Sequence, residues 1–191
     1  IQISLVSYPA ASNGNMISGT TYRVIKVRNE TLTQDVTLAK RDFGGITNIP
    51  YYFDSYTIGT SATFTINPGV VCKFQGSGIT VNKGLLAEGG FRADSNIVFT
   101  SIKDDFYGGD SNADSNATAP AIGNWTYLNF ADQALDPICR FRHCIIRYGA
   151  YGIYTTSASP SLTYCSLLKN NYGCYATAAS NPSFSFCDFD D

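Results

Sequence analysis

The stretch Phe141-Arg142-His143-Cys144-Ile145-Ile146 decides the fold, because it recurs twice further along the chain. The second copy is Leu162-Thr163-Tyr164-Cys165-Ser166-Leu167, and the third is Phe184-Ser185-Phe186-Cys187-Asp188-Phe189. The three cysteines are separated by 21 and 22 residues. Apolar residues recur at the first, fourth and sixth positions of each copy, which is typical of a protein built from stacked repeats.

Two further matches extend the repeat. Tyr151-Gly152-Ile153-Tyr154 reappears 21 residues later as Tyr172-Gly173-Cys174-Tyr175. Upstream, residues 65–72 match residues 80–87 at a spacing of 15, each around an Asn-Xaa-Gly turn. We interpret the shorter spacing as a shorter coil, since a turn between strands can lengthen while a strand column is kept.

Short strands of this kind cannot bury an apolar face alone, but coils stacked about 4.8 Å apart can do so. A leucine-rich repeat has a similar period, yet it needs a dense leucine framework and a helical or tight-turn half, and neither is present. Thr, Ser, Asn, Gly and Tyr are abundant, which favours strands and turns. The sequence therefore predicts an all-β fold, a right-handed parallel β-helix (solenoid).

The predicted coils run from residue 56 to residue 191. Residues 1–55 are less regular, with candidate strands at 3–6, 22–27 and 31–38, the last interrupted at 33–35. We interpret this part as an N-terminal cap or a lead-in set of irregular coils, because the end of a stack must be covered. A small separate β-domain is the alternative.

One long loop excursion is predicted at residues 102–123, where Gly108-Gly109 precedes a polar run of Asp, Ser and Asn. Strand character resumes at Trp125. The ends of the chain carry two expectations. Ile1 looks like a processed or excised end, because neither a Met start nor a signal peptide is present. The third repeat stops four residues past Cys187, so we expect the protein to continue beyond Asp191.

The composition limits the classes of partner that we expect. Charged residues make up 15% of the chain, below the typical value of about 25%. The formal net charge of −2 provides no positive field for nucleic acid, which we do not expect as a partner. No apolar stretch approaches the roughly 20 residues of a membrane span.

The motifs resemble those of a known group of proteins. They are residues 65–74, residues 97–101, Lys103-Asp104-Asp105 with Gly108-Gly109-Asp110, and residues 182–187. The chain resembles the right-handed parallel β-helix proteins of bacterial surfaces and is similar to large secreted Bacteroidetes proteins with C-terminal sorting domains, over residues 56–191. The resemblance implies an extracellular or cell-surface location. Such chains form adhesive or structural stalks, whereas related β-helices cleave acidic polysaccharides, so the fold does not settle the function.

The best candidate site is a calcium site in the predicted excursion. Oxygen-bearing side chains at alternate positions can converge on one Ca²⁺, which takes six to eight oxygen ligands. Asp104 or Asp105 could complete the set, and we favour Asp105. The loop is not an EF-hand, because Ser115 stands at the turn-glycine position and Ala121 at the bidentate Glu position. A solvated polar loop is the alternative. The predicted ligands are Asp105, Asp110, Asn112, Asp114 and Asn116.

For the cysteines and the single histidine, packing roles are weighed against disulfide or metal-binding roles. Column-mates such as Cys144 and Cys165 could be packing thiols, disulfide partners or metal ligands, and replacement of Ile153 by Cys174 favours inert packing. A Cys139/His143/Cys144 metal site would lack a fourth ligand. His143 aligns with Tyr164 and Phe186, so we predict an aromatic stack at a coil corner.

The tyrosines allow two interpretations. They pack across coils, which we favour, or they form an exposed ladder that stacks on sugar rings or on a protein partner. The residues concerned are Tyr127, Tyr148, Tyr151, Tyr154, Tyr172 and Tyr175.

These observations favour a non-enzymatic secreted or cell-surface segment that acts as a rigid structural or adhesive module and binds glycans or partner proteins. A fragment of a polysaccharide lyase or glycoside hydrolase is the second hypothesis, since Lys103, Asp104, Asp105 and Asp110 could surround an acidic sugar. The repeated outward positions carry no carboxylates, so no catalytic residue is assigned. An exported cargo recognised by its secretion machinery, as in the type 9 system, is the third hypothesis.

Overall fold

A computed structural model of the chain describes residues 1–7 and 14–190. These residues form a parallel β-solenoid of about eight turns, which confirms the predicted all-β, parallel β-helix architecture. Asp191, beyond which we expect the chain to continue, lies outside the described residues.

The strands are short and most are three to six residues long. They are β1 (Gln2–Ile3), β2 (Ile25–Val27), β3 (Thr31–Leu32), β4 (Val36–Leu38), β5 (Tyr51–Ile58), β6 (Thr63–Ile66), β7 (Val71–Val81), β8 (Gly84–Glu88), β9 (Ile97–Ser101), β10 (Trp125–Phe130), β11 (Cys139–Arg142), β12 (Cys144–Arg147), β13 (Gly149–Thr156), β14 (Ser161–Thr163), β15 (Ser166–Leu168), β16 (Tyr172–Thr177), β17 (Ser183–Ser185) and β18 (Asp188–Asp190). Two 3-10 helices lie at Ala93–Ser95 and Asp136–Ile138.

The strands stack in three columns. The first column contains β1, β2, the first half of β5, the first half of β7, β9, β12, β15 and β18. The second contains β3, the second halves of β5 and β7, β10, β13 and β16. The third contains β4, β6, β8, β11, β14 and β17. Every pairing between these strands is parallel, so equivalent side chains align from coil to coil.

The register of the C-terminal coils confirms the predicted repeat. In the third column Phe141 pairs with Leu162, and Leu162 pairs with Phe184. In the second column, Ile153 pairs with Cys174, and the flanking tyrosines pair in the same register. The aligned apolar positions found in the sequence are therefore stacked, inward-facing columns.

The 15-residue repeat is wrong. Ile66 pairs with Ala87, 21 residues later, and Ile58 pairs with Val81, 23 residues later. The turn after Ile66 joins the third column to the first, whereas the turn after Val81 joins the second column to the third. The two matching segments, residues 65–72 and 80–87, therefore lie at two different corners of the solenoid that have similar turn residues. The coils in this part of the chain are as long as the C-terminal ones.

The strands of residues 1–55 lie in the same two sheets as those that follow. The interruption at residues 33–35 is the corner between β3 and β4. The candidate strands at 3–6 and 22–27 are shorter than predicted and reduce to β1 and β2. The long excursion occupies residues 102–124, between β9 and β10, and the chain returns to the stack at Trp125, as predicted.

The interior is filled by stacked aromatic rings as well as aliphatic columns. The ring of Phe74 lies 5.6 Å from that of Phe53, 4.8 Å from that of Trp125 and 6.4 Å from that of Phe99. All four side chains are buried. Burial of this apolar area drives folding, and the offset stacking contributes beyond the area buried.

The corners between the third and first columns use left-handed backbone at residues other than glycine. The φ angles of His143, Tyr164 and Phe186 are 47°, 53° and 53°. The His143 N–H donates to the Thr163 carbonyl at 3.1 Å, and the Tyr164 N–H donates to the Ser185 carbonyl at 2.9 Å. These bonds between coils offset the cost of left-handed backbone, which for most side chains is about 1–2 kcal/mol.

Candidate cation site and the adjoining cleft

A buried lysine holds the base of the excursion. Lys73 lies in β7, is fully buried, and donates from Nζ to the carbonyl oxygens of Asp104 at 2.8 Å and Gly109 at 2.9 Å. Burial lowers the pKa of Lys73 to about 8, although the negative charges of Asp104, Asp105 and Asp110 act in the opposite direction. An ammonium group buried in this way needs such partners, and it fixes the first part of the loop against the sheet.

Three carboxylates converge above this lysine. One oxygen from each of Asp105, Asp110 and Asp114 lies within 4.8 Å of the other two. Burial and the neighbouring charge of Asp110 raise the pKa of Asp105, and its buried Oδ1 accepts no hydrogen bond from the described residues. Carboxylates at this separation repel one another, and a hard cation between them would relieve the repulsion.

Asp110 is fixed in position by neighbours on both sides. Its Oδ2 accepts from Nη1 of Arg23 at 3.2 Å, in an ion pair with the segment before β2. The backbone N–H of Asp114 donates to Oδ1 at 3.0 Å, and that of Ser115 donates to Oδ2 at 3.3 Å. The carboxylate therefore closes the polar turn as well as facing the other two acids.

Asp114 is well supplied with hydrogen-bond donors, unlike Asp105. It accepts from the hydroxyl of Thr118, from Nδ2 of Asn112 at 2.6 Å and from the N–H of Ala117 at 3.1 Å. The Thr118 hydrogen bond, followed by the others, lowers the pKa of the Asp114 carboxyl. The pKa of the Asp114 carboxyl is thus lowered, whereas that of Asp105 is raised.

The structure brings together three of the five predicted calcium ligands, namely Asp105, Asp110 and Asp114. Asn112 reaches the group through its amide nitrogen, while its Oδ1 is buried and has no hydrogen-bond partner among the described residues. Asn116 is exposed and lines the adjoining cleft instead. Calcium itself stays a prediction.

Nearby positive charges limit how strongly this site would attract a cation. Arg23 forms an ion pair with one of the three acids, and the Lys73 ammonium lies beneath them. The local charge is then close to −1 when all these groups are ionised. Because Ca²⁺ affinity follows the charge of its ligands, we expect a dissociation constant of about 10⁻⁴–10⁻³ M, in the range of extracellular modules.

A cleft of about 470 Å³ adjoins the carboxylates, between the excursion and the corner after β12. Its lining includes Lys103, Asp105, Phe106, Asn116, Thr118, Arg147 and Tyr148. The Cζ of Arg147 lies 5.4 Å from the ring centre of Tyr107 and 4.4 Å from that of Tyr148. The Nε of Arg147 lies 3.4 Å from Oδ2 of the buried Asp104. The cleft therefore combines cationic, acidic and aromatic groups.

Sequence reasoning missed Lys73 and Arg147. Lys73 had one signal, since it interrupts the apolar run Val70-Val71-Cys72 to Phe74 in a strand that reads as buried. Arg147 had none, because its partners Asp104 and Tyr107 are about forty residues away in the sequence.

His143 takes part in the predicted aromatic stack. Its ring lies parallel to that of Tyr164 at 5.1 Å, and Tyr164 lies parallel to Phe186 at 4.9 Å. Phe91 packs against both rings, with its centre 4.4 Å from that of His143 and 6.3 Å from that of Tyr164. Burial and the charge of Arg142 lower the pKa of the imidazole. These contacts confirm the stack at a coil corner.

All six cysteines are free thiols, four of them buried. Burial raises the pKa of Cys72 and Cys144 well above the ordinary value, as for packing residues. Cys174 occupies the place of Ile153, as the repeat indicated. Cys72 aligns with Phe99 and not with Ala87, because the 15-residue repeat that aligned it with Ala87 is wrong.

The tyrosines pack across the second column. Tyr151 stacks on Tyr172 at 5.5 Å, and Tyr154 stacks on Tyr175 at 5.6 Å, with nearly parallel rings. Stacking covers the faces between neighbouring rings, while Tyr172 and Tyr175, in the last strand of this column, stay exposed. Tyr148 does not belong to this row, because it is buried at a corner beside Arg147.

The fold and the site define a parallel β-solenoid with one long polar excursion. Comparison with protein-family models, curated proteins and solved structures gave no match. Within the described residues, no helix is long and apolar enough to cross a membrane.

Proposed function

We propose that this chain is a non-enzymatic, secreted or cell-surface module in which a rigid solenoid presents the 102–124 excursion as a recognition element for glycans or partner proteins. We further propose that Ca²⁺, bound by Asp105, Asp110 and Asp114 with Asn112 nearby, orders this element. Asn116, the remaining predicted ligand, would then line the adjoining cleft and not bind the ion.

The observation that carries the proposal is the way the excursion is built. Its base is fixed by the buried Lys73, its turn is closed by Asp110, and its acidic side chains converge on one point instead of spreading into solvent. A loop that served only as a linker would need none of these contacts.

Calorimetric titration of Ca²⁺ into the chain tests the proposal. We expect one site with a dissociation constant of about 10⁻⁴–10⁻³ M. Asp110→Asn should abolish the binding heat, whereas Asp132→Asn, which changes an exposed carboxylate after β10, should leave it intact. Equal heats for the two variants, or no heat for the unaltered chain, would reject the calcium site.

A polysaccharide lyase or glycosidase fragment is the second candidate, and one observation favours it. The cleft beside the carboxylates contains Lys103 and Arg147, which is the combination of groups a uronate-processing enzyme needs. Incubation with acidic polysaccharides in the presence of Ca²⁺, followed by the absorbance of unsaturated products, tests it. Turnover that Asp105→Asn abolishes would replace the non-enzymatic proposal.

The proposed extracellular or cell-surface location, and export as a bacterial cargo protein, rest on the resemblance of residues 56–191 to secreted β-helix proteins. The low charged fraction of the chain is compatible with a stalk-like module. Expression with a cleavable export signal, followed by protease shaving of intact cells, would show whether the folded solenoid is displayed outside the cell.

A further inference from the structure

Three cysteines occupy the same position in three successive coils, and we call Cys144, Cys165 and Cys187 the cysteine stack. The residues that directly follow them pair with one another from coil to coil in the first column. Neighbouring Cα atoms in such a column are about 4.8 Å apart, within the range of roughly 4.4–6.8 Å over which a disulfide joins two cysteines. The spacing therefore permits a bond between neighbours in the stack, although all three are free thiols here.

The middle thiol of the stack differs from the other two in acidity. Hydrogen bonding with the Cys144 thiol lowers the pKa of Cys165, although burial acts in the opposite direction, and the Cys187 thiol on the other side lowers it further. Burial raises the pKa of both Cys144 and Cys187. Cys165 is therefore the thiol of the stack that ionises most readily, and the thiolate is the nucleophile in disulfide chemistry.

The three thiols also differ in their access to solvent. Cys144 and Cys165 are each 1% exposed, whereas Cys187, at the corner before β18, is half-buried. A reagent in solution meets Cys187 first, and the buried thiol next to it in the stack is Cys165. An outer thiol that meets the oxidant, beside an inner thiolate that attacks the resulting mixed disulfide, is the arrangement that thiol–disulfide exchange requires.

The surroundings of the cysteine stack favour a disulfide over a bound metal. The carbonyl oxygen of Ala87 lies 3.1 Å from Sγ of Cys144, and that of Thr163 lies 3.4 Å from Sγ of Cys165. Metal binding would leave negatively charged thiolates against these oxygens in an apolar interior, which is costly. A disulfide carries no charge, so its formation in the same place avoids that cost.

We propose that Cys165 and Cys187 form a redox pair, which small-molecule disulfides convert reversibly into a disulfide between two successive coils. The Cys187 thiolate attacks the reagent, forms a mixed disulfide and releases one thiolate. The Cys165 thiolate then attacks the Cys187 sulfur and releases the second. Two electrons pass from the cysteines to the reagent, and the released thiolates take up the two protons that the cysteines lose. The inference goes beyond the proposed function and does not depend on it.

Reaction of the folded chain with dithiobis-nitrobenzoate, an aromatic disulfide whose released thiolate is coloured, tests the proposal. The Cys174→Ser variant is used, because Cys174 is the other half-buried cysteine and would react on its own account. We expect two coloured thiolates per chain and, in mass spectra of proteolytic peptides, one bond that joins Cys165 to Cys187. Fewer than two thiolates, or a bond between a different pair of cysteines, would overturn the proposal.

Two further variants, both made in the Cys174→Ser chain, separate the two steps. Cys187→Ser should release no thiolate, because the four remaining cysteines are buried. Cys165→Ala should release one thiolate and retain the reagent on Cys187, because no inner thiol attacks the mixed disulfide. If Cys165→Ala fails to fold, Cys187→Ser, at the half-buried position, decides, and two thiolates from that variant would overturn the proposal.

Reversibility has a separate test. Stacked side chains point in the same direction, which strains the bond and makes it easier to reduce than an unstrained disulfide. Excess dithiothreitol added to the folded, oxidised chain should therefore restore the thiols of Cys165 and Cys187. A bond that persists until the chain is unfolded would refute a reversible pair.

Discussion

Replacing Asp105 by Asn should raise the stability of the protein without calcium and lower it, relative to the unaltered chain, when calcium is present. The Asp105 carboxylate lies within 4.8 Å of two others, and its Oδ1 has no hydrogen-bond partner among the described residues. At that distance one repulsion amounts to about 0.9 kcal/mol in a water-like dielectric. Lys73 offsets part of it, and solvent screening reduces it further, which leaves about 0.5 kcal/mol.

That gain corresponds to a rise of about 1–2 °C in the melting temperature of a chain of this length in EDTA. In about 10 mM Ca²⁺ the unaltered chain should gain about 1.4 kcal/mol if the dissociation constant is about 1 mM, and the variant should gain none. The order of the two melting temperatures should therefore reverse between the two buffers.

Asp114→Asn is the matched control. The Asp114 carboxylate accepts three hydrogen bonds and its pKa is lowered, so the substitution should reduce the melting temperature in EDTA and also abolish the calcium gain. The contributions of Asp105 and Asp114 to stability also depend on pH with opposite signs. A raised pKa at Asp105 makes its contribution to stability fall as the pH rises through 4 and above, whereas a lowered pKa at Asp114 makes its contribution rise. A less stable Asp105→Asn variant in EDTA would refute the reasoning.

The remaining predictions concern the stack and the anchor of the excursion. Gly108→Ala should be more destabilising in urea unfolding than Gly109→Ala, because both residues have positive φ but only a Cβ at Gly108 would meet Pro50, at 2.7 Å. Phe74→Ala should reduce the free energy of unfolding by about 3–5 kcal/mol, since it removes a buried ring that contacts three others, and a loss below about 1 kcal/mol would contradict the core described above. The free energy of unfolding of the unaltered chain, minus that of the Lys73→Met variant, should increase from about pH 8 to pH 10. The reason is that the native state releases the Lys73 proton near pH 8 and the unfolded state near 10.5. A flat difference over that range would show that Lys73 titrates normally.

The sequence predicts the C-terminal coils well for a physical reason. In a parallel stack each inward position faces its equivalent in the next coil, so apolar identity recurs at the coil length, as at Phe141, Leu162 and Phe184. The excursion was equally visible, because a polar stretch rich in Gly and Asp cannot supply a strand to the core.

Other features could not be predicted. Turns at different corners of one coil use the same Asn-Xaa-Gly chemistry, and only the pairing partners of Ile66 and Val81 reveal which column each ends. The left-handed corners at His143, Tyr164 and Phe186 carry no glycine that would signal them. Their conformation is set by hydrogen bonds to the next coil, which a local pattern does not contain.

The candidate site was predicted only where the ligands are close in sequence. Asp110 and Asp114 belong to one turn, and the alternating pattern identified them. The Lys73 ammonium and the Arg147 guanidinium come from strands more than thirty residues away, and the stacking of coils alone brings them to the excursion.

Hydrogen–deuterium exchange with and without Ca²⁺ tests the central claim most directly, namely that a rigid stack presents a calcium-ordered excursion. The account predicts that amides of the buried strands are protected equally in both buffers, while amides of residues 102–124 exchange several-fold more slowly in Ca²⁺. Unchanged exchange in the excursion, or slowing spread evenly over all coils, would contradict it.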